Sequence, residues 1–394
     1  MIRLSGADLV LPDRVVSGGT IVIEGDRIAA IEDSQHGAAA ADDVRFAFSD
    51  HYVVPGFIDV HVHGVEGHDS LDGGDAIREI AGRLPRVGVT AFCPTTVACD
   101  PSRLRGVLAS VADARSSRPP GARVLPAHLE SNFINPAFKG AQPADCLRLP
   151  SAPRAAFRWG ADDILGEIAA ARADVGIITV APELDGALPL IADLASHGHH
   201  VSLGHSGASY EEGLRGIREG ARQATHLFNR MTPISHREPG LTGAILESDD
   251  VVAELICDGV HVHPAMMRVA IAAKGPERIM AITDATAGAG LARGSRTSLG
   301  GRTITVGDAA YLDDGTIAGS VLTMDRAFAM LTGSCGLSLS HAATVCSTTP
   351  ARTLGLQGFG VLSPGAVADL VVLDRQFRVV QTWIGGNLAY SEGS

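Results

Sequence analysis

Short apolar runs between Gly/Asp turns open the chain. Ile2-Arg3-Leu4, Thr20–Glu24, Arg27–Ile31 and Val53-Val54 alternate or run apolar, with turns such as Glu24-Gly25-Asp26 between them, a pattern that predicts strands. The same style returns at the other end in Asp369–Asp374 and Val379–Ile384, followed by the turn Gly385-Gly386-Asn387. Two β-rich ends around a different middle predict one small β-sandwich domain built from residues 1–54 and 358–394. The middle, 55–357, alternates short apolar strands with longer amphipathic stretches, the mark of parallel βα units. Its candidate strands are Gly56–Val62, Val89–Pro94, Val124–Leu129, Val175–Val180, His200–Leu203, Gln223–Leu227, Val251–Ile256 and Arg278–Thr283. Helical segments fall between them, among them Ile164–Ala173 and Ala187–His197, while Ala38–Ala41 and Ser116–Pro120 read as surface loops. The fold class is therefore α/β: a (β/α)8 TIM-like barrel, a fold that uses about 250 residues and places its site at the C-terminal ends of the strands.

Composition changes this picture little. A hydrophobic content of 45% supports a large core, and 46 glycines suit many tight strand-to-helix connections. The net charge of -12 argues against a nucleic-acid or anionic-membrane surface, since those need clustered Lys/Arg. The six cysteines are scattered with no Cys-x-x-Cys and read as buried free thiols of a cytoplasmic protein. Asp8 and Asp13-Arg14 interrupt the stretch a signal peptide would need, and no window approaches the ~18 apolar residues of a membrane span.

The candidate chemistry lies where the barrel strands end. In Pro55-Gly56-Phe57-Ile58-Asp59-Val60-His61-Val62-His63-Gly64 two histidines one residue apart project to the same side of a strand. A metal ion explains such a pair, although a solvated strand end would too. Glu130, His205, His226 and Asp284 follow the third, fifth, sixth and eighth strands. Each has an ordinary alternative: Glu130 could cap a helix, His205 could be a loop histidine, His226 could bond a carbonyl, and Asp284 could be an N-cap. Together, at one end of successive strands, they form a set able to hold one or two divalent ions. Zinc is the first expectation, and iron, manganese or cobalt fit the same donors. Such an ion lowers the pKa of bound water to about 7, supplying hydroxide at neutral pH. A carboxylate beside it, with Asp284 the best placed, takes the water's proton and returns it to a leaving nitrogen. The predicted reaction is metal-assisted hydrolysis of an amide. His197, His199 and His200 cluster near a helix end and read as solvated; His36 and His341 have no partner in sequence.

These residues resemble the amidohydrolase superfamily and, within it, the N-acetylglucosamine-6-phosphate deacetylase family. Beyond the His-Val-His run, the resemblance is carried by His128-Leu129-Glu130, Leu203-Gly204-His205-Ser206, Thr225-His226-Leu227-Phe228-Asn229, His236-Arg237-Glu238-Pro239-Gly240, Asp258-Gly259-Val260-His261, Thr283-Asp284-Ala285-Thr286 and Ala318-Gly319-Ser320. It implies Glu130, His205 and His226 as ligands of the principal ion, His61 and His63 with Asp284 as holders of a second, and Asp284 as the catalytic acid/base. It further implies that Asn229 and the adjacent backbone meet a sugar phosphate, that Arg237 is the phosphate's main cation across a homodimer interface, and that His261 contacts the sugar. Ser320 falls within the same family signature and is a candidate for the substrate pocket. Without the family context Arg237 reads as a surface arginine in a Pro/Gly loop.

The chain departs from the family pattern at two places. Ser131-Asn132 stands where the family usually reads Gly-Pro, and Gln142 stands where it often has a histidine that polarises the substrate carbonyl. A glutamine amide can still donate to a developing oxyanion, without positive charge. Arg230, where alanine is common, adds a cation near the phosphate. The implied activity is removal of the acetyl group from N-acetylglucosamine-6-phosphate. The alternatives are a deacetylase of another N-acetylated amino-sugar phosphate or N-acyl amine, or a catalytically weak sugar-phosphate-binding protein.

Overall fold

The structure is a computed structural model that describes residues 1–33, 43–151 and 158–393. The loop expected at Ala38–Ala41, and His36, lie outside the described residues. Strands from both ends of the chain pair with each other: Leu370–Leu373 runs antiparallel to Tyr52–Pro55, pairing Val371 with Val54 and Val372 with Val53. Across the sheet the order is Asn387–Ser391, Val379–Ile384, Leu370–Leu373, Tyr52–Pro55, Ile2–Val10, Val15–Glu24 and Arg27–Glu32. Where the sequence suggested a sandwich, these pairings join the terminal strands into one hydrogen-bonded sheet. Ile2–Val10 is long enough to carry two successive parallel partners on one edge, Val44–Ala47 beside Ile2–Ser5 and Tyr52–Pro55 beside Asp8–Leu9. Residues past the Gly385-Gly386 turn continue as the edge strand Asn387–Ser391, antiparallel to Val379–Ile384.

Strand alternation gives this sheet two apolar faces. Leu4, Leu9, Ile21, Ile23, Val53, Leu370, Val372 and Trp383 form its own core. Val54 and Val371, one residue out of step, belong to the large core of the barrel. Each such side chain fully removed from water contributes about 1.5–3 kcal/mol, so the sheet is anchored to the barrel by its apolar underside.

The barrel strands are Phe57–Val62, Val89–Thr96, Ala127–Leu129, Val175–Val180, His200–Leu203, Gln223–Ala224, Val252–Ile256 and Ile279–Ile282. All neighbours pair in parallel. The expected third strand Val124–Leu129 is split: Arg123–Val124 pairs with Ala91 and Phe92, Ala127–Leu129 with Thr95 and Thr96, and Pro126 between them has no N–H for the ladder. Each strand is followed by a helix: Ala76–Arg83, Pro101–Ser117, Ala161–Ala170, Ala187–Ser196, Tyr210–Arg218, Gly240–Glu247, Pro264–Lys274 and Met324–Gly333. The third helix starts earlier than its apolar pattern indicates, because the Asp163 carboxylate accepts the Gly160 N–H at 2.8 Å and fixes the first turn. Ser116 and Ser117, expected in a loop, form the last turn of the second helix.

A three-stranded antiparallel sheet, Arg296–Leu299, Arg302–Val306 and Ala310–Tyr311, is inserted between the eighth strand and its helix. Among the described residues no helix is long and apolar enough to cross a membrane.

The eighth strand meets the first mainly beyond their regular segments. Asp284 N–H donates to the His61 carbonyl at 2.9 Å and His63 N–H to the Ala285 carbonyl at 2.8 Å. Below them the Asp59 carboxylate stitches the seam, accepting from Thr283 Oγ1 at 2.6 Å, Thr283 N at 3.2 Å and His61 N at 3.2 Å. Burial pushes Asp59 up from 3.8 to about 7, against the lowering effect of those bonds. A raised folded-state pKa means the native chain holds this proton where the unfolded chain has lost it, so the contribution is full below about 4 and disappears as pH rises through about 7. The stability advantage of the native chain over Asp59→Asn is therefore expected to shrink across that window, as read by denaturant unfolding at fixed pH steps. An advantage that grows with pH would show that Asp59 is held ionised.

Candidate active site at the barrel mouth

The residues singled out at the strand ends converge. His61 and His63 leave the first strand on one side, with Nε2 atoms 3.3 Å apart. Asp284 comes to them from the eighth strand, its Oδ1 3.2 Å from His63 Nε2 and 3.4 Å from His61 Nε2. Across the mouth, Glu130 Oε1 lies 2.7 Å from His205 Nε2 and 2.8 Å from His226 Nε2, and those two nitrogens are 3.0 Å apart. The two sets adjoin, with Glu130 Oε2 3.5 Å from His63 Nε2. His205, His226 and Asp284 have φ of 47°, 29° and 52°. Non-glycine residues rarely adopt such values, and their appearance at three of these positions marks a backbone bent to aim side chains.

The hydrogen-bond roles test whether a cation belongs here. His205 Nδ1 faces the Phe138 carbonyl at 2.9 Å, so Nδ1 carries a hydrogen, and in the neutral ring this leaves an Nε2 lone pair facing the Glu130 carboxylate. His61 Nδ1 faces the Glu254 carboxylate at 2.9 Å, which likewise leaves its Nε2 bare toward His63 and Asp284. Lone pairs aimed at one another need a proton or a metal ion between them. Each set, His61/His63/Asp284 and Glu130/His205/His226, keeps its donor atoms within 4.8 Å of one another. Ligands about 2.0–2.2 Å from one ion in a tetrahedron lie about 3.3 Å apart, close to the separations found here. The donors therefore fit a divalent ion.

Electrostatics agree with the grouping. Burial lowers His61 to about 3 and keeps it neutral. Burial alone would raise Glu130, but the charge and hydrogen bond of His205 and the hydrogen bond of His226 hold it well below the usual carboxylate range. His226 is pushed up to about 9, burial being outweighed by Glu130. Asp284 is held below its ordinary value, burial being outweighed by the hydrogen bond and charge of His63. Asp284 thus remains a proton acceptor.

All of these donors but the fully buried His61 border a cavity of about 430 Å³, also lined by Gln142, Asn229, Arg230 and His261. His261 Nδ1 donates to Asp258 Oδ2 at 2.6 Å, and its Nε2 has no partner among the described residues. Asn229 turns its amide to the His226 and Leu227 carbonyls. Arg230 is exposed at the rim. Gln142 is committed at both ends: Oε1 accepts Ala98 N–H at 2.7 Å and Nε2 donates to Glu130 Oε2. It therefore orients the glutamate through one of its two amide hydrogens.

Ser131 and Asn132 are internal stitches. The serine hydroxyl donates to the Thr179 carbonyl, and the asparagine amide donates to the Cys99 and Cys146 carbonyls, each at 2.8 Å. They hold the loop from Ser131 to Gln142 against its neighbours.

Two expected substrate residues are not brought to the cavity in the single chain. Arg237 is exposed and outside its wall. Ser320 is buried beneath Asp284, its hydroxyl donating to the Thr283 carbonyl and accepting Leu322 N–H. Its neighbour Gly319 does line the cavity. At φ 78° a Cβ on Gly319 would lie 2.9 Å from the Asp284 carbonyl oxygen, which explains the glycine. His199, expected to be solvated, is buried with Nδ1 donating to the Val175 carbonyl at 2.9 Å.

Sequence reasoning passed over Glu254, Glu183 and any role for His128. Glu183 accepts from Asn135, Ser206 and the Gly207 N–H, tying the third, fourth and fifth loops together. His128 is spent on the Val60 carbonyl and Thr179 hydroxyl. The available signal for Glu254 was a charge inside the apolar run Val251–Ile256. All six cysteines are unpaired and all but Cys146 are buried.

Comparison with known proteins agrees with this geometry. A profile of the amidohydrolase family matches residues 52–389. The N-acetylglucosamine-6-phosphate deacetylase of Bacillus subtilis (strain 168) is 32% identical over 388 residues, 97% of this chain and 95% of that protein. The N-acetylgalactosamine-6-phosphate deacetylase of Escherichia coli O157:H7 is 36% identical over 337 residues, 85% of this chain and 87% of that protein. A variant of the Mycobacterium smegmatis N-acetyl-D-glucosamine-6-phosphate deacetylase, solved with N-acetyl-D-glucosamine-6-phosphate, superposes with a TM-score of 0.88 at 32% identity, covering 99% of each chain.

Proposed function

This chain belongs to the amidohydrolase family, and we infer that it hydrolyses the acetamide of N-acetylglucosamine-6-phosphate to glucosamine-6-phosphate and acetate. The observation that carries the reading is the pairing of two metal-type donor sets with an ionised Asp284 on the wall of one cavity. Relatives named for this activity match nearly the whole chain.

In this reading Glu130, His205 and His226 hold the principal ion, and His61 and His63 with Asp284 hold a second. Zinc suits the mixed nitrogen/oxygen set, with iron, manganese or cobalt as substitutes. When bound, such an ion polarises the acyl oxygen and brings a water's pKa to about 7. Asp284 accepts the proton of the attacking water as its oxygen bonds to the acyl carbon. It then returns that proton to the nitrogen as the carbon–nitrogen bond breaks, releasing acetate and the amine. Gln142 holds Glu130 Oε2 so that Oε1 faces His205 and His226.

His261 Nε2 faces the sugar, and Asn229 with Arg230 lies toward the phosphate. Arg237, on its exposed loop, completes the phosphate site of a second copy in a homodimer, where its planar fork matches phosphate oxygens. Residues 55–357 form the catalytic barrel and 1–54 with 358–394 the separate β-domain, supported by that domain's own apolar core. The free thiols agree with work in the cytoplasm.

Acetate release from N-acetylglucosamine-6-phosphate, its galacto epimer and unphosphorylated N-acetylglucosamine tests the assignment. The expected kcat/KM order places the gluco phosphate first, with the unphosphorylated sugar about 100-fold or more behind, as for a buried charge left unpaired. A faster galacto epimer would favour the activity named for the Escherichia coli relative. Equal rates with and without phosphate would contradict the phosphate site.

A further inference from the structure

The seventh barrel strand, Val252–Ile256, carries one charged residue in an apolar run, and Glu254 is fully buried. Nothing in the packing of that strand asks for a carboxylate, and burying one is unfavourable unless it is paired. Its Oε2 lies 2.9 Å from His61 Nδ1 and 3.3 Å from the main-chain N–H of His226. Its own carbonyl accepts the Leu227 N–H at 2.8 Å. One residue thus holds a ring from the His61/His63/Asp284 set and the backbone of a ligand from the Glu130/His205/His226 set.

We propose that Glu254 is a positioning residue that fixes the tautomer of His61 and the bent main chain of His226, keeping the two donor sets in one register. The proposal rests on the metal-hydrolase reading above and extends it to a residue behind the cavity wall. In its ionised form the Glu254 carboxylate only accepts, so it keeps the hydrogen on His61 Nδ1 and leaves the Nε2 lone pair facing the neighbouring donors. Without it, the other tautomer would place a hydrogen where an ion must sit. At His226, with φ of 29°, Glu254 grips the turn through its carboxylate on one N–H and its carbonyl on the next. Glu254 is not itself a third metal site with His61 and His128. Both His128 nitrogens are already engaged, by the Val60 carbonyl and the Thr179 hydroxyl, each at 3.1 Å.

The test is calorimetric titration of zinc into chelator-treated full-length native, Glu254→Gln and Glu254→Ala chains, with kcat, KM and melting temperature measured alongside. Glutamine keeps an oxygen acceptor for both contacts; alanine removes it. The expected result is zinc affinity weakened by about 10- to 100-fold in Glu254→Ala, largely rescued in Glu254→Gln, with kcat reduced and KM little changed. Native-like zinc affinity in Glu254→Ala, with only its melting temperature lowered, would show a merely structural role and overturn the proposal. A native chain that binds no zinc, iron, manganese or cobalt would instead sink the metal-hydrolase reading beneath it. Should neither variant fold, nitrogen-15 NMR of the native chain decides: His61 protonated on Nδ1 supports the proposal and on Nε2 refutes it.

Discussion

Replacing Asp284 by asparagine is expected to lower kcat by about a thousandfold or more, the upper range for loss of a general acid–base group, while the chain still folds and retains zinc on Glu130, His205 and His226. The substitution keeps the shape of the side chain and the bonds of its backbone, Asp284 N–H to the His61 carbonyl and Ser320 N–H to the Asp284 carbonyl. It removes the ability to accept a proton. It also removes one of three donors at the His61/His63 set, so metal content is expected to fall toward one ion per chain. KM is expected to move little, because the other cavity-lining groups, among them His261, Asn229 and Arg230, are untouched. Kinetics with elemental analysis of the same samples checks this. A protein that merely bound the sugar phosphate would show no change in ligand affinity and would have no turnover to lose.

The second large effect is expected at Glu130. Glu130→Ala leaves His205 Nε2 and His226 Nε2 3.0 Å apart with no carboxylate beside them. It removes the only anionic donor of that set and strips Gln142 Nε2 of its acceptor. Zinc affinity at the principal site should fall by more than the roughly 100-fold that loss of an orienting partner costs, and acetate release should fall to background. Histidine substitution, which restores a donor nitrogen, should recover part of the metal but not the orientation set by Gln142. Full activity in Glu130→Ala would assign the reaction to the His61/His63 side alone.

These effects could be anticipated because the relevant residues announce themselves locally. His61 and His63 share a face by strand periodicity alone, and Glu130, His205, His226 and Asp284 each sit just beyond an apolar run. The strands Val175–Val180 and His200–Leu203 match their apolar runs to the residue, since the runs are bounded by turn and helix signals.

What stayed hidden depends on partners distant in sequence. Glu254 reads as an oddity in a strand until His61 comes to lie 2.9 Å away across the barrel. Gln142 reads as a substitute for a catalytic histidine, and only the fold shows that its amide also holds Glu130 and the Ala98 N–H. Ser320 carries a family signature, yet serves by sealing the back of Asp284. The insert Arg296–Tyr311 carries only a short alternation, Thr303-Ile304-Thr305-Val306, and its place at the mouth follows from the chain returning past Asp284 to Ala318-Gly319. Arg237 is exposed and lies outside the cavity wall of the single chain.

The most direct test of the account is to incubate the purified protein with N-acetylglucosamine-6-phosphate before chelation, after chelation, and after zinc is restored, measuring acetate and free amine together. Equal amounts of both products, abolished by chelation and recovered with the metal, are predicted. Undiminished release from protein shown by elemental analysis to hold no metal, or no release from protein shown to hold it, would contradict the account.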